Sequence, residues 1–198
     1  MQELILEKLK LVKSKFENGH TTTDVLLSNV KLLESSSRQS PAFSDPKYFP
    51  FYFKFGNEFN FSNIIQIGCK LGLVAASLSQ GCKTIENWVA FDEDDFAKKI
   101  VESNMRLFSK SKIKYSKFDN KIDDSKNFDL GIISESFTKD KNIKFLDFVW
   151  NSIKNDSLLL VDYIYDKEMK EPFFDFCKLK NREPFCFNTR YGIGVVVK

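Results

Sequence analysis

The chain has 198 residues, of which 42% are hydrophobic and 29% are charged, and its formal net charge is +3. This composition is typical of a folded globular protein and argues against extensive disorder. A charge of +3 is too small to indicate a nucleic-acid-binding surface by itself. Four cysteines without a C-x-x-C pair, together with a single histidine, argue against a zinc site and favour reduced thiols.

The N-terminal part of the sequence predicts helices followed by an aromatic loop. Apolar residues at helical spacing predict a first helix over residues 2–17, and a hydroxyl cap at Thr22 or Thr23 begins a second helix. Residues 41–53 combine three prolines with aromatic side chains, a pattern that predicts neither a regular helix nor a central strand. We interpret residues 1–60 as a helical cap with an aromatic loop beside a ligand cleft. A pair of helices packed on the core is the alternative.

The sequence pattern predicts neither a membrane-spanning helix nor a signal peptide. No apolar run approaches the roughly 18 residues that a transmembrane helix needs. The first ten residues, MQELILEKLK, form an amphipathic pattern rather than a signal peptide. The protein is therefore expected in the cytoplasm.

From residue 63 onward, strand and helix patterns alternate. The predicted helices include one over 140–153, in which Ile143 is assigned to the buried stripe. The predicted strands cover residues 63–67, 88–91, 113–118, 128–133 and 158–162, and residues 184–187 and 192–197 predict a terminal hairpin. Five such units and a hairpin predict an α/β fold with a doubly wound, mostly parallel sheet and an antiparallel C-terminal end.

The stretch NIIQIGCKLG, from Asn63 to Gly72, carries the ligand-binding signal. A short apolar run that meets glycines and then a helix is a βα unit whose turn approaches a ligand closely. Gly68 and Gly72 have no Cβ, so the backbone can adopt positive φ and a ligand can come near. The dinucleotide pattern G-x-G-x-x-G is absent, because Lys70 and Leu73 stand where it requires glycine.

The spacing G-x-x-x-G resembles the first motif of class I S-adenosylmethionine-dependent methyltransferases. That motif usually reads acidic-x-G-x-G-x-G, and here Gln66 takes the acidic place and Lys70 the place of the middle glycine. The predicted sheet with its terminal hairpin is also similar to the sheet of this family. The resemblance implies a Rossmann-like methyltransferase core over residues 61–198 and S-adenosylmethionine as the cofactor.

In this fold, ligands bind beyond the carboxyl ends of the strands. An acid at position 92 can accept hydrogen bonds from both ribose hydroxyls, and its charge suits a sulfonium ligand. The alternative role, a helix cap, is assigned to Asp94 and Asp95. The resemblance assigns cofactor binding to residues at or after the carboxyl ends of the first four strands: Gln66, Gly68, Cys69, Gly72, Asp92, Glu93, Asp119 and Ser134.

The fourth and fifth strands bear on the reaction. Nucleic-acid amino-methyltransferases usually carry Asn or Asp, two prolines and an aromatic residue after the fourth strand, whereas this chain has SESF at 134–137. The segment from 128 to 163 resembles small-molecule O-methyltransferases related to macrocin methyltransferases and cephalosporin hydroxylases, which often bind a divalent metal. Because Ser134 and Tyr163 occupy two of the expected ligand positions, we predict no obligatory metal.

Methyl transfer without a metal needs in-line positioning of the acceptor and, for a hydroxyl acceptor, a base. Asp162 is the first candidate for this base, Glu135 is the second, and Tyr163 is an orienting residue. Tyr48 and Tyr52 either line the acceptor pocket or belong to the aromatic core.

The sequence therefore favours S-adenosylmethionine-dependent methyl transfer to a small hydroxylated molecule. The alternative is a non-catalytic protein of the same fold that serves as a binding or assembly subunit, since Gln66 and Lys70 depart from the motif. A nicotinamide-dependent reductase is disfavoured by the missing glycine pattern. Nucleic-acid modification is disfavoured because the chain has only four arginines. A homodimer is left open.

Overall fold

The predicted alternation of strands and helices is present in the computed structural model, which describes residues 2–17, 48–69, 72–92, 112–118 and 128–198. Five helices occupy these residues: α1 (Gln2–Glu17), α2 (Tyr48–Glu58), α3 (Leu73–Gly81), α4 (Lys139–Ser152) and α5 (Lys170–Leu179). The same residues contain seven strands: β1 (Asn63–Ile67), β2 (Asn87–Asp92), β3 (Lys112–Lys117), β4 (Phe128–Ile133), β5 (Ile153–Asp162), β6 (Phe185–Phe187) and β7 (Ile193–Val197).

The seven strands form one sheet in the order β3-β2-β1-β4-β5-β7-β6. Strands β1 to β5 are parallel, and β7 runs antiparallel to both β5 and β6. The doubly wound sheet and its antiparallel end are thus confirmed. The order reverses between β1 and β4, and right-handed crossovers on either side of that point put α3 and α4 on opposite faces.

Strand β5 is longer than the sequence pattern indicates. The prediction covers only the apolar run 158–162, but the strand begins at Ile153, directly after α4. The added residues are irregular: Asp156 has a positive φ of 58°, and the register against β4 shifts between Phe128 and Leu130. The sequence pattern does not predict this part of β5, because an irregular strand need not show the alternation of apolar and polar residues.

The prediction that segment 41–53 excludes a regular helix is wrong for its last residues, because α2 begins at Tyr48 and passes through Pro50. Pro50 is the third residue of this helix, and the first four N–H groups of a helix have no intrahelical acceptor. A proline there removes no hydrogen bond, and its fixed φ suits a helix start.

Helix α2 is packed into the core rather than laid on its surface. Its aromatic side chains Phe51, Tyr52 and Phe55 are fully buried. Two glycines bring α2 against α3: a Cβ built on Gly56 would lie 2.6 Å from the Leu78 oxygen, and one built on Gly81 would fall against the Phe53 oxygen. Only glycine permits this backbone approach.

Helix α4 matches its predicted range to within one residue, but the set of residues that it buries differs from the predicted set. Its buried residues are Asn142, Phe145, Leu146, Val149 and Trp150, whereas Ile143 is 50% exposed. The placement of Ile143 in the core is therefore wrong. Since successive helical residues are about 100° apart, a stripe that includes position 142 turns position 143 toward its edge.

Some predicted features lie outside the described residues, namely the second N-terminal helix and the helix between β2 and β3. Within the described ranges, no helix combines the length and the hydropathy that a membrane span requires.

Candidate functional site

The candidate site lies at the carboxyl ends of β1, β2, β4 and β5, around the point where the strand order reverses. Ligands of doubly wound sheets bind in the crevice at this reversal. The residues that end or follow these strands include Asp92, Ser134, Glu135 and Asp162. The fold therefore brings these four sequence-predicted site residues to one edge of the sheet.

Two glycines in the left-handed backbone region shape the turn after β1. Gly68 has a φ of 75° and Gly72 a φ of 73°, values that favour glycine. The Gly68 N–H donates to the Phe91 carbonyl at 2.9 Å, and the Gly72 N–H donates to the Cys69 carbonyl at 2.7 Å. A Cβ built on Gly68 would lie 2.5 Å from the Glu135 Cβ. The turn has no room for a side chain at position 68.

A buried chain of hydrogen bonds lies beneath this turn. The Trp88 indole N–H donates to Gln66 Oε1 at 3.1 Å, and Gln66 Nε2 donates to Ser134 Oγ at 2.6 Å. Ser134 Oγ in turn donates to the Gly68 carbonyl at 2.5 Å. A chain of three side chains, from β2, from β1 and from the residue after β4, therefore ends at one backbone oxygen of the glycine turn.

Strand alternation puts these three side chains on the same face of the sheet. Trp88 is paired with Ile64, two residues before Gln66, and Gln66 is paired with Ile132, two residues before Ser134. Side chains two residues apart on a strand point the same way. The role of Trp88 is absent from the sequence-based prediction, although the two-residue alternation of the strands is a signal that could have indicated it.

Asp92 ends β2 beside the glycine turn and is only 7% exposed. The Cys69 thiol donates to Asp92 Oδ2 at 3.6 Å. Burial, followed by the nearby Asp92 charge, raises the pKa of Cys69 well above the usual thiol value. Cys69 is therefore a neutral thiol that supports the Asp92 carboxylate, and not a nucleophilic thiolate.

Glu135 follows β4 and stands over the same turn. Its side chain is half-buried, and its Oε2 would lie 3.3 Å from a Cβ on Gly68. Its charge also acts on Cys69, where it contributes to the raised thiol pKa. The structure thus brings together Gly68, Cys69, Asp92 and Glu135.

Asp162 ends β5 and is 1% exposed. The Tyr52 O–H donates to Asp162 Oδ1 at 2.6 Å, and the Tyr48 O–H donates to Asp162 Oδ2. Burial, reinforced by the Asp162 charge, raises the pKa of both phenols well above the usual tyrosine value. The two tyrosines that the sequence left as either pocket or core residues therefore hold the Asp162 carboxylate inside the protein.

Tyr163 follows Asp162 in a backbone conformation that is uncommon for a bulky residue, with a φ of 63°. Its ring packs against Tyr191 with 5.2 Å between the centroids. Strained residues of this kind concentrate at functional sites. The structure thus places Tyr163 at the strand end beside Asp162, with its ring fixed by the loop before β7.

A second set of hydrogen bonds joins the loops that follow β4 and β5. Asn142 accepts from the Phe137 N–H and donates to the Phe137 and Glu168 carbonyls, each at 3.0 Å. Ser136 donates to Asp166 Oδ1 at 2.7 Å. The loop that carries Glu135 is thereby tied to the loop that follows Asp162.

Two of the strand-end residues considered as ligands of a divalent metal, Ser134 and Asp162, already have hydrogen-bond partners within the protein. Both oxygens of Asp162 accept phenol hydrogens, and Ser134 Oγ is engaged by Gln66 and Gly68. Within the described ranges, no three His, Cys, Asp or Glu side chains gather into a possible metal site. Of the other predicted site residues, Glu93 and Asp119 lie outside the part of the chain that the structure describes, as does Lys70.

Sequence comparison alone does not place the chain. No protein-family model matches it, and no curated protein matches it in sequence.

Comparison of structures does find similar proteins. An O-methyltransferase from Bacillus cereus in complex with SAH has a TM-score of 0.68 and 14% identity, over 95% of this chain and 97% of that one. An SAH-bound methyltransferase from Podospora anserina has a TM-score of 0.66 and 13% identity, over 96% of this chain and 95% of that one. A putative caffeoyl-CoA O-methyltransferase from Staphylococcus aureus has a TM-score of 0.63 and 13% identity, over 87% of this chain and 99% of that one. The chain has the class I methyltransferase fold.

Proposed function

We propose that the protein binds S-adenosylmethionine at the turn after β1 and transfers its methyl group to a small hydroxylated molecule. The observation that carries the proposal is the pairing of the Gly68 turn with the buried Asp92 carboxylate at the strand-order reversal. The SAH held by the Bacillus cereus and Podospora anserina proteins supports this choice of cofactor at the level of the fold.

The residues around the turn suit such a ligand. Asp92 would accept hydrogen bonds from the ribose hydroxyls, and the Cys69 thiol would keep the Asp92 carboxylate oriented. The charges of Asp92 and Glu135 favour a cationic sulfonium. Gly68 and Gly72 leave the backbone open to close approach. Glu93 and Asp119 remain proposed ligands of the cofactor on the family resemblance alone.

The bound cofactor supplies an electrophilic methyl group, so the protein has to position the acceptor and accept a proton from its hydroxyl. We assign the role of the base that accepts this proton to Glu135, which stands over the glycine turn. Asp162 is the first candidate from the sequence, but its carboxylate already accepts two phenol hydrogen bonds in a buried position. Asp162 instead holds α2 against β5, and Tyr163 lines the acceptor side.

Substitution of Asp92 by alanine should weaken S-adenosylmethionine binding by about 10- to 150-fold, because about 1.5–3 kcal/mol of charged hydrogen bonding is lost. The affinity is measured by calorimetric titration of the folded variant. Asp147→Ala, which removes a partly exposed carboxylate of α4 that pairs with Lys180, is the matched control and should bind as the wild type does. An unchanged affinity in Asp92→Ala would remove Asp92 from the cofactor site.

The proposal itself is tested by titrating the wild-type protein with S-adenosylmethionine, S-adenosylhomocysteine and NADH. Micromolar binding of the first two, without binding of NADH, is the expected result and would justify a screen of hydroxylated acceptors with labelled cofactor. Binding of NADH alone would overturn the proposal. Binding of none of the three would favour the non-catalytic alternative.

A further inference from the structure

We propose that Gln66 and Ser134 are positioning residues that hold the Gly68 carbonyl through a neutral relay of hydrogen bonds, and that the relay needs an uncharged hydrogen-bond donor at position 66. Gln66, which stands where the class I methyltransferase motif usually has an acidic residue, then has a function of its own in this site. The relay is a property of the described structure, whereas its effect on S-adenosylmethionine binding rests on the proposed function.

The direction of the relay follows from the chemistry of its members. An indole N–H can only donate, so the oxygen of the Gln66 amide must face Trp88 at 3.1 Å. The amide nitrogen then faces Ser134 and donates to its hydroxyl at 2.6 Å. Since that hydroxyl has accepted, its own hydrogen is directed to a backbone carbonyl, and that of Gly68 at 2.5 Å is nearer than that of Ile67 at 3.5 Å. Each link fixes the direction of the next.

Burial makes every link matter. Gln66 is 0% exposed, Trp88 is 1% exposed and Ser134 is 5% exposed. Bulk water cannot replace a lost partner at such positions, so a broken link leaves a buried polar atom unsatisfied. Because Gln66 lies beneath the turn, it acts on a ligand through Gly68 rather than by direct contact.

An ionised acid at position 66 would reverse the relay. A carboxylate accepts hydrogen bonds but has no hydrogen to donate. It would still accept from Trp88, but it would draw the Ser134 hydrogen to itself and leave the Gly68 carbonyl without a donor. A protonated carboxylic acid offers an acceptor on one oxygen and an O–H donor on the other, which suffices for the two hydrogen bonds that the amide makes here, and it would restore the original direction.

This difference makes Gln66→Glu a pH-switched variant. Burial raises the pKa of an isolated carboxyl, to about 8–9 in documented cases, so the introduced group should titrate within an accessible range. At low pH the variant should bind S-adenosylmethionine as the wild type does. As the pH rises and the group ionises, affinity should fall about tenfold or more relative to the wild type measured at the same pH.

A second measurement does not use the cofactor. The indole N–H resonance of Trp88, assigned with the help of Trp150→Phe, should move with pH in Gln66→Glu as its acceptor becomes charged, and should stay constant in the wild type. Gln66→Met is the control of similar shape, because it removes both hydrogen bonds and its effects should be independent of pH. If Gln66→Glu does not fold, Ser134→Ala and its rescue by Ser134→Thr test the last link.

Two results would overturn the inference. The first is a folded Gln66→Glu protein that binds S-adenosylmethionine as tightly as the wild type, or more tightly, at every pH, which would mean that the side chain meets the ligand directly. The second is a Trp88 resonance that ignores pH while the introduced carboxyl titrates. If the wild type binds no S-adenosylmethionine, the proposed function fails, and the Trp88 titration still decides whether the relay exists.

Discussion

Substitution of Asp162 by alanine should lower the free energy of unfolding by about 2–6 kcal/mol, because two buried phenols each lose their acceptor at about 1–3 kcal/mol. Tyr48 and Tyr52 are 5% and 0% exposed, so water does not take the place of the carboxylate. Single Tyr48→Phe and Tyr52→Phe variants should lose less, about 1.5–3 kcal/mol each, since each removes one hydrogen bond to a charged group.

Urea unfolding of the single and double variants measures these energies and their coupling. The exposed Asp175, which pairs with Lys178 on α5, is the matched control, and Asp175→Ala should change stability by no more than about 0.5 kcal/mol. Asp162→Asn keeps the shape and one acceptor, so its stability should be intermediate. If Asp162→Asn were as stable as the wild type but inactive in methyl transfer, Asp162 and not Glu135 would be the base.

The same cluster should make stability depend on alkaline pH. The pKa of Tyr48 and that of Tyr52 are raised in the folded protein above the ordinary value of 10.0, first by burial and then by the Asp162 charge. A raised pKa means that the stabilisation is complete below pH 10 and is lost as the pH rises toward the folded-state value. Wild-type stability should therefore fall above pH 10, and it should fall less in the Tyr48→Phe, Tyr52→Phe double variant.

Substitution of Gly68 by alanine should weaken S-adenosylmethionine binding by about 30-fold or more, equivalent to about 2 kcal/mol. The positive φ of 75° costs a residue with a Cβ about 1–2 kcal/mol. The new Cβ would also lie 2.5 Å from the Glu135 Cβ and 3.2 Å from the Glu135 N, and overpacking of this kind costs about 1–3 kcal/mol. The turn can relieve both costs only by moving away from the shape that receives the ligand.

Calorimetric titration of the folded variant measures this effect, and Gly192→Ala is its control. Gly192 has a φ of 73°, and a Cβ there would lie 2.5 Å from the Tyr165 ring, so its backbone and steric penalties are similar. It lies before β7 rather than after β1. Gly192→Ala should lose stability and keep its cofactor affinity. Equal affinities in Gly68→Ala and the wild type would show that the cofactor does not depend on this turn.

The sheet was predictable because its strands are short apolar runs with polar or turn-forming residues at both ends. Residues 63–67 and 128–133 match β1 and β4 residue for residue. The parallel order then puts the ends of these strands at one edge, so Asp92 and Glu135 could be named as candidate site residues from chain position alone. Gly68 was predictable for the same reason, since a tight βα turn demands a residue without a Cβ.

The hydrogen-bond partners at the site were not predictable in the same way. Tyr48 and Tyr52 lie 114 and 110 residues before Asp162, and no local pattern joins them. The helix that carries them was not predicted because it contains Pro50. A proline is compatible with the first turn of a helix, but the sequence does not show that the helix begins only two residues earlier. Gln66 departs from the acidic residue of the motif, and its two partners are distant in sequence: Trp88 lies on β2, and Ser134 directly follows β4.

The contact of α2 with α3 through Gly56 and Gly81 has a mechanical consequence. Helices whose backbones touch cannot slide or tilt against each other without a collision. The packing of α2 against α3 therefore helps to hold the phenols of Tyr48 and Tyr52 at Asp162. A ligand that binds beside Asp162 would therefore meet a surface that is already ordered in the folded protein, and binding would not have to order it.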